Sequence, residues 1–128
     1  MEPFFKSRSN SFRYAFAGWW FVIRTQRNAW IHAVISIAVI IVSLWLGLNL
    51  RDWAVIILTI SLVWTAEFIN TALEAVVDLA SPSQQQLARV GKDVGAAAVL
   101  IAAGAAALVG FLILGPPLWA RLQALFFK

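Results

Sequence analysis

The 128 residues include no cysteine. A disulfide framework and a thiolate metal site are therefore both excluded. Charge is also scarce: only 12% of residues are Asp, Glu, Lys or Arg, where a soluble domain carries roughly a quarter. There are six acidic residues, one histidine and four prolines. No G-x-x-x-x-G-K-[ST] loop and no G-x-G-x-x-G loop is present, and the lone Gly91-Lys92 pair does not make one. No internal repeat is found, and no small-residue cleavage site follows the first apolar run, so no signal peptide is expected. The net charge of +4 on so apolar a chain points to anionic lipid head groups rather than nucleic acid.

What is abundant is hydrophobic sequence, at 62%. Three long apolar stretches cover residues 30–50, 53–79 and 94–114. Each reaches the ~20 residues that a helix needs to cross ~30 Å of hydrocarbon. The expected fold class is all-α: an integral membrane protein, one domain over 1–128, with three transmembrane helices. Residues 5–29, which include "SFRYAFAGWWFVIRT", mix aromatics with Arg13 and Arg24 and fit an amphipathic helix lying in the interface. Pro116 and Pro117 are expected to end the third crossing, leaving a short amphipathic tail at 118–127. Lys6, Arg8, Arg13, Arg24 and Arg27 precede the first crossing, and Arg89 and Lys92 lie in the expected 80–93 loop. The positive-inside rule then puts the N-terminus and that loop in the cytoplasm, against the mild opposition of Arg121 and Lys128. Trp30, Trp45, Trp53 and Trp119 fall near the expected membrane edges, as an aromatic belt would.

Half of the acids sit in one run, "TAEFINTALEAVVDLA", at residues 65–80. With Glu67 at 0° on a helix, Asn70, Thr71, Glu74 and Asp78 fall within an arc of about 100°. The rest of that helix is apolar: Phe68, Ile69, Leu73, Val76 and Val77. Glu67 lies about 21 Å along the axis from Trp53, inside the hydrocarbon, and Glu74 lies about 10 Å further, near the interface. A carboxylate at that depth costs at least about 2.5 kcal/mol unless it is protonated, paired or hydrated. Interhelical glue by Asn70 and Thr71 is the blander account. Against it stands the register of Glu, Asn, Glu and Asp, which marks a functional stripe. The deeper carboxylate suits a general base, and the shallower one suits a hard cation such as Mg²⁺, which would bring phosphate. Lys92 and Asp93 begin the third crossing, where phosphates could also be met. The residues alone give a membrane-embedded acid–base site compatible with phosphoryl transfer.

The same residues carry a resemblance. Glu67 to Asp78, "EFINTALEAVVD", matches every fixed position of E-x-[LIVM]-N-[ST]-[SA]-[LIV]-E-x-x-V-D, the signature of the small prokaryotic diacylglycerol kinases and undecaprenol kinases. "GKDVGAAAVL", residues 91–100, resembles the family's A-K-D-x-x-x-x-A-V-L segment. "SFRYAFAGWWFVIRTQRNAWIH", residues 11–32, is similar to its S-F-x-x-A-x-x-G…T-E-R-N-x-x-I-H opening, in a form nearer the undecaprenol kinase branch. The likeness runs over residues 5–115. It implies a homotrimer with shared active sites that uses ATP and Mg²⁺ to phosphorylate a lipid hydroxyl, undecaprenol or diacylglycerol. By position, Glu67 would be the general base, Glu74 the metal ligand and Asn70 the residue that orients the site. Lys92 and Asp93 would contact ATP, with Tyr14, Ser83, Gln84 and Gln85 nearby. Gln26 departs from the pattern, for it stands where the family has a second metal-binding glutamate. An amide ligates through oxygen but supplies no charge, so the metal leans on Glu74 and ATP's own phosphates or another acid compensates. An inactive membrane assembly module and a small ion or proton transporter using the acidic stripe are the competing functions. His32 is read as an interfacial or packed histidine, Arg27 and Asn28 as holding head groups or ATP or as interface anchors, and Gly95 and Gly104 as sites of close helix packing.

Overall fold

The computed structural model describes residues 4–81, 83 and 85–126, with side-chain surroundings from residue 10 onward. Four helices follow in order: α1 (Phe4–Thr25), α2 (Arg27–Leu46), α3 (Leu50–Ala80) and α4 (Gln86–Phe126). There is no strand among the described residues. Three helices, α2, α3 and α4, are long and apolar enough to cross a membrane. At 1.5 Å per residue they measure about 30, 46 and 61 Å, so α3 and α4 outrun the ~30 Å hydrocarbon.

Local chemistry sets the breaks. Gln26 has an extended backbone (φ −98°, ψ 116°) and its side chain does not cap α2. The surface helix thus stops at Thr25, not residue 29, and Arg27 to Ala29 open the first crossing. That crossing stops at Leu46, not residue 50. Gly47 adopts the left-handed conformation (φ 70°) and its N–H returns to Ser43 O and Leu44 O. Glycine reaches this backbone without a Cβ penalty. Two residues later Asn49 Oδ1 accepts from the N–H groups of Arg51 and Asp52, while its Nδ2 donates to Asp52 Oδ2 at 2.7 Å. A capped turn of three residues therefore reverses the chain between α2 and α3.

The prolines do not end α4. Pro116 and Pro117 lie inside one helix that continues to Phe126, so the expected separate tail is its last part. Each proline lacks the N–H that would bond the carbonyl four residues back, at Leu112 and Ile113. Such losses are tolerated where neighbouring groups and water re-satisfy the backbone. Beyond the prolines, Arg121 lies over the Trp45 ring at 5.7 Å, which ties the end of α4 to the end of α2.

The most extensive packing joins α3 and α4. The small core comprises Val22, Ala29, Ile56, Val63, Val99 and Ala102. Most other large apolar side chains face outward, among them Leu58, Leu100, Ile101 and Phe111, each more than 70% exposed on the single chain. In water each would forgo about 1.5–3 kcal/mol of burial. Hydrocarbon around the helices removes that penalty, so the exterior suits a multi-pass membrane protein.

Candidate functional site

The polar stripe of α3 grades from dry to wet. Glu67 is 1% exposed, Asn70 and Thr71 are buried, Glu74 is half-buried and Asp78 is exposed. Counted from Leu50, Glu67 lies about 26 Å up the helix and Glu74 about 36 Å, so a crossing that starts at Leu50 ends between them.

Each stripe residue has a defined setting. Thr71 Oγ1 donates back to the Glu67 carbonyl at 2.9 Å, which spends its hydroxyl on the helix backbone. Asn70 Nδ2 donates to Glu74 Oε1 at 3.1 Å. Asn70 Oδ1 lies where a Cβ on Gly95 of α4 would stand. Asn70 is therefore held between α4 and Glu74. Glu74 Oε2 has no hydrogen-bond partner among the described residues. Asp78 is paired with Lys92 across the α3–α4 contact, at 2.9 and 3.1 Å.

Glu67 is enclosed by parts of three helices. Trp64, one turn earlier on the same face, stacks against Trp19 of α1 with ring centroids 5.0 Å apart. Phe68 leans on both indoles. Trp64 Nε1 donates to Ser36 Oγ of α2 at 3.2 Å, and its ring meets His32 edge-on. His32 Nε2 lies 3.8 Å from Glu67 Oε2. Neither of these two buried atoms has a hydrogen-bond partner among the described residues. Trp19, Trp64, Phe68 and the inward aim of His32 were not singled out from the sequence. The helical spacing of Trp64 and Glu67 was the available signal for one of them.

The other expected site residues are less gathered. Lys92 and Asp93 are not at the start of α4 but about two turns inside it, since the helix begins at Gln86. They line a cleft of about 240 Å³ with Val77, Asp78, Ser81 and Arg89. Ser83 is an exposed turn residue, and Gln85 N–H donates to Ser81 Oγ at 3.3 Å. Gln84 lies outside the described residues. Tyr14 is exposed on α1 beside Arg13. Gln26 is half-buried at the α1–α2 break, and within one chain no hydrogen bond joins its side chain to Glu74 among the described residues. No cluster of three His, Asp or Glu side chains able to hold a metal occurs among them either. A second cavity, also about 240 Å³, is almost wholly apolar and runs between α2, α3 and α4 from His32 towards Leu114.

Residues 13–114 match the family model described as prokaryotic diacylglycerol kinase. A diacylglycerol kinase of Synechocystis sp. is 49% identical over 109 residues, which cover 84% of this chain and 62% of that protein. The chain thus spans about six-tenths of that relative's length. The undecaprenol kinase of Bacillus subtilis is 37% identical over 118 residues, covering 92% of this chain and 93% of the relative. The diacylglycerol kinase of Escherichia coli is 34% identical over 83 residues, covering 59% and 68%. With a match over most of its length, and with the α3 stripe inside that match, the chain belongs to the prokaryotic diacylglycerol kinase family.

Proposed function

We propose that this protein transfers the γ-phosphoryl group of ATP to the hydroxyl of a membrane lipid. The observation that carries the reading is Glu67: a buried carboxylate, with an oxygen that has no hydrogen-bond partner among the described residues, on a helix apolar and long enough to cross a membrane. Glu67 takes the proton of the lipid hydroxyl. The freed oxygen attacks the γ-phosphorus, a new P–O bond forms, and the bond to the β-phosphate oxygen breaks to release ADP. General-base assistance of this kind contributes typically 10²–10⁴-fold.

The donor set at the wet end fits Mg²⁺. This ion binds through one or two carboxylates plus substrate phosphates and water, and Glu74 offers one oxygen fixed by Asn70 and one without a partner among the described residues. Mg²⁺ bound there would neutralise phosphate charge. Lys92 and Arg89 supply cations at the cleft beside the stripe, and Lys92 exchanges Asp78 for phosphate when ATP binds. Tyr14, Ser83, Gln84, Gln85 and Asp93 complete the nucleotide side, as the family resemblance implies. The apolar cavity beside His32 offers room for hydrocarbon.

The active site faces the cytoplasm, on the side of the basic α1 and the Arg89–Lys92 end of α4. The chain works as a homotrimer with shared sites. Gln26, left unbonded to Glu74 within one chain, meets the site of a neighbouring copy. The acceptor is undecaprenol or diacylglycerol. The test is an assay of the purified full chain in bilayers with labelled ATP, Mg²⁺ and each lipid separately. Label appearing in lipid supports the reading and the preferred lipid names the acceptor. No transfer to either lipid would overturn it.

A further inference from the structure

Beside Glu67 lies a second titratable side chain, His32, contributed by α2. His32 Nε2 and Glu67 Oε2 are 3.8 Å apart, with side chains 12% and 1% exposed. Both atoms are buried and without a hydrogen-bond partner among the described residues. A carboxylate oxygen can only accept, whereas an imidazole nitrogen donates in one tautomer or when charged. The separation exceeds a hydrogen bond by about 0.6 Å. Two unsatisfied buried atoms of complementary type so close together each go without the hydrogen bond that burial calls for until they meet.

Other contacts hold the imidazole where it is. Ser36, one turn beyond His32 on α2, accepts from Trp64 Nε1, and Trp64 sets its ring against the imidazole at 68° with centroids 6.5 Å apart. Trp64 in turn sits one turn before Glu67 on α3. The indole therefore fixes the level of α2 against α3 at the height of the carboxylate.

We infer that His32 is the positioning residue of the general base: its Nε2–H bonds Glu67 Oε2 and turns the carboxylate towards the lipid hydroxyl. This inference rests on the lipid kinase reading and assigns a role to a side chain outside the ATP and metal groups. A carboxylate free to rotate presents the wrong oxygen for part of the time and misaligns proton transfer, for which placement within hydrogen-bond reach is required. His32 touches neither phosphate nor metal in this account. Its loss should therefore lower kcat and leave the KM for Mg-ATP nearly unchanged.

Three variants and one spectrum test this in the purified full chain. His32→Leu keeps bulk and removes the donor, so kcat should fall about tenfold to a hundredfold, the loss of one oriented hydrogen bond to a charged group. His32→Gln keeps an N–H donor and should stay within about fivefold of the wild type, a residual misplacement of well under one hydrogen bond. Adding His32→Leu to Glu67→Gln should cost almost nothing more, because residues that act as a unit are non-additive. The spectrum covers the case in which His32→Leu does not fold. His32 is the sole histidine, so ¹⁵N-histidine labelling gives one imidazole, and its Nε2 resonance should move between the wild type and Glu67→Gln. An active His32→Leu, a His32→Gln as impaired as His32→Leu, additive losses, or an unmoved Nε2 resonance would each overturn the inference. Failure of the kinase reading looks different, because the wild type itself would then transfer no phosphate.

Discussion

Glu67 and Glu74 lie seven residues apart on one helix face yet differ in exposure, Glu67 being buried and Glu74 half-buried, and the proposed mechanism divides their roles along that difference. In the proposed mechanism the drier carboxylate would have no water to compete for the lipid's proton, and the wetter one would meet ions and phosphates that do not enter the hydrocarbon. Replacing Glu67 by Gln keeps shape and hydrogen-bonding capacity but removes the proton acceptor. Phosphorylation should fall about 10²–10⁴-fold with unfolding unchanged, and a variant within a few-fold of the wild type would move the base elsewhere. Gln26 poses the complementary question. A carboxylate at that position would add the charge that Mg²⁺ prefers over a carbonyl dipole. Gln26→Glu should lower the Mg²⁺ concentration needed for half-maximal rate by about threefold to tenfold, on the order of one added exposed charge interaction. Rate measured against Mg²⁺ for both proteins decides it. Loss of activity at every Mg²⁺ level would show that Gln26 is not a weakened ligand.

The position of the stripe depends on how closely α3 and α4 approach, and that is set at Gly95. A Cβ there would collide with Asn70 Oδ1 and come within 3.0 Å of Leu73 Cδ2. Gly95→Ala must push the helices apart or rotate Asn70, and either movement breaks the Asn70–Glu74 bond. The expected cost is about 1–3 kcal/mol of overpacking together with loss of Mg-ATP-dependent rate. Gly104→Ala is the control, since nothing lies within 4 Å of its added Cβ. Thermal unfolding in detergent and the kinase rate should both separate the two variants, and equal behaviour would reject the packing argument. The sequence pointed to close packing at both Gly95 and Gly104, because small residues on apolar helices tend to pack, and within one chain the expectation holds at Gly95 and not at Gly104. It could not show which side chain Gly95 touches, because contacts across helices have no sequence period. For the same reason Glu67, Asn70 and Glu74 were legible, lying on one face of one helix, whereas His32 and Trp19 were not. Their role depends on how α1 and α2 turn at Gln26 to meet Trp64. Pro116 and Pro117 misled for a physical reason: proline breaks isolated helices, but this one is held beyond the prolines by Arg121 on Trp45.

At the scale of the whole chain, the three crossing helices place the α2–α3 turn and the α3–α4 link at opposite ends of α3. The number of crossings could be read from apolar length alone. Their direction rests on a few basic residues: Arg51 is balanced by Asp52 at one turn, while Arg89 and Lys92 lie beyond the other end of α3, four cations precede the first crossing and Arg27 opens it. The rule that orients such chains counts Lys and Arg close to the membrane, so the Ser83 end should stay inside and the Leu50 end should be exported. The absence of cysteine makes this directly measurable, because any thiol is an introduced one. Leu50 is 90% exposed at the start of α3, and Ser83 is an exposed turn residue. Leu50→Cys in intact cells should react with a membrane-impermeant thiol reagent, and Ser83→Cys should react only after the cells are opened. Both sites reacting from one side would contradict a single crossing by α3. The reverse pattern would put Glu74 and Lys92 on the face away from cytoplasmic ATP, and the kinase site would then have no access to its phosphoryl donor.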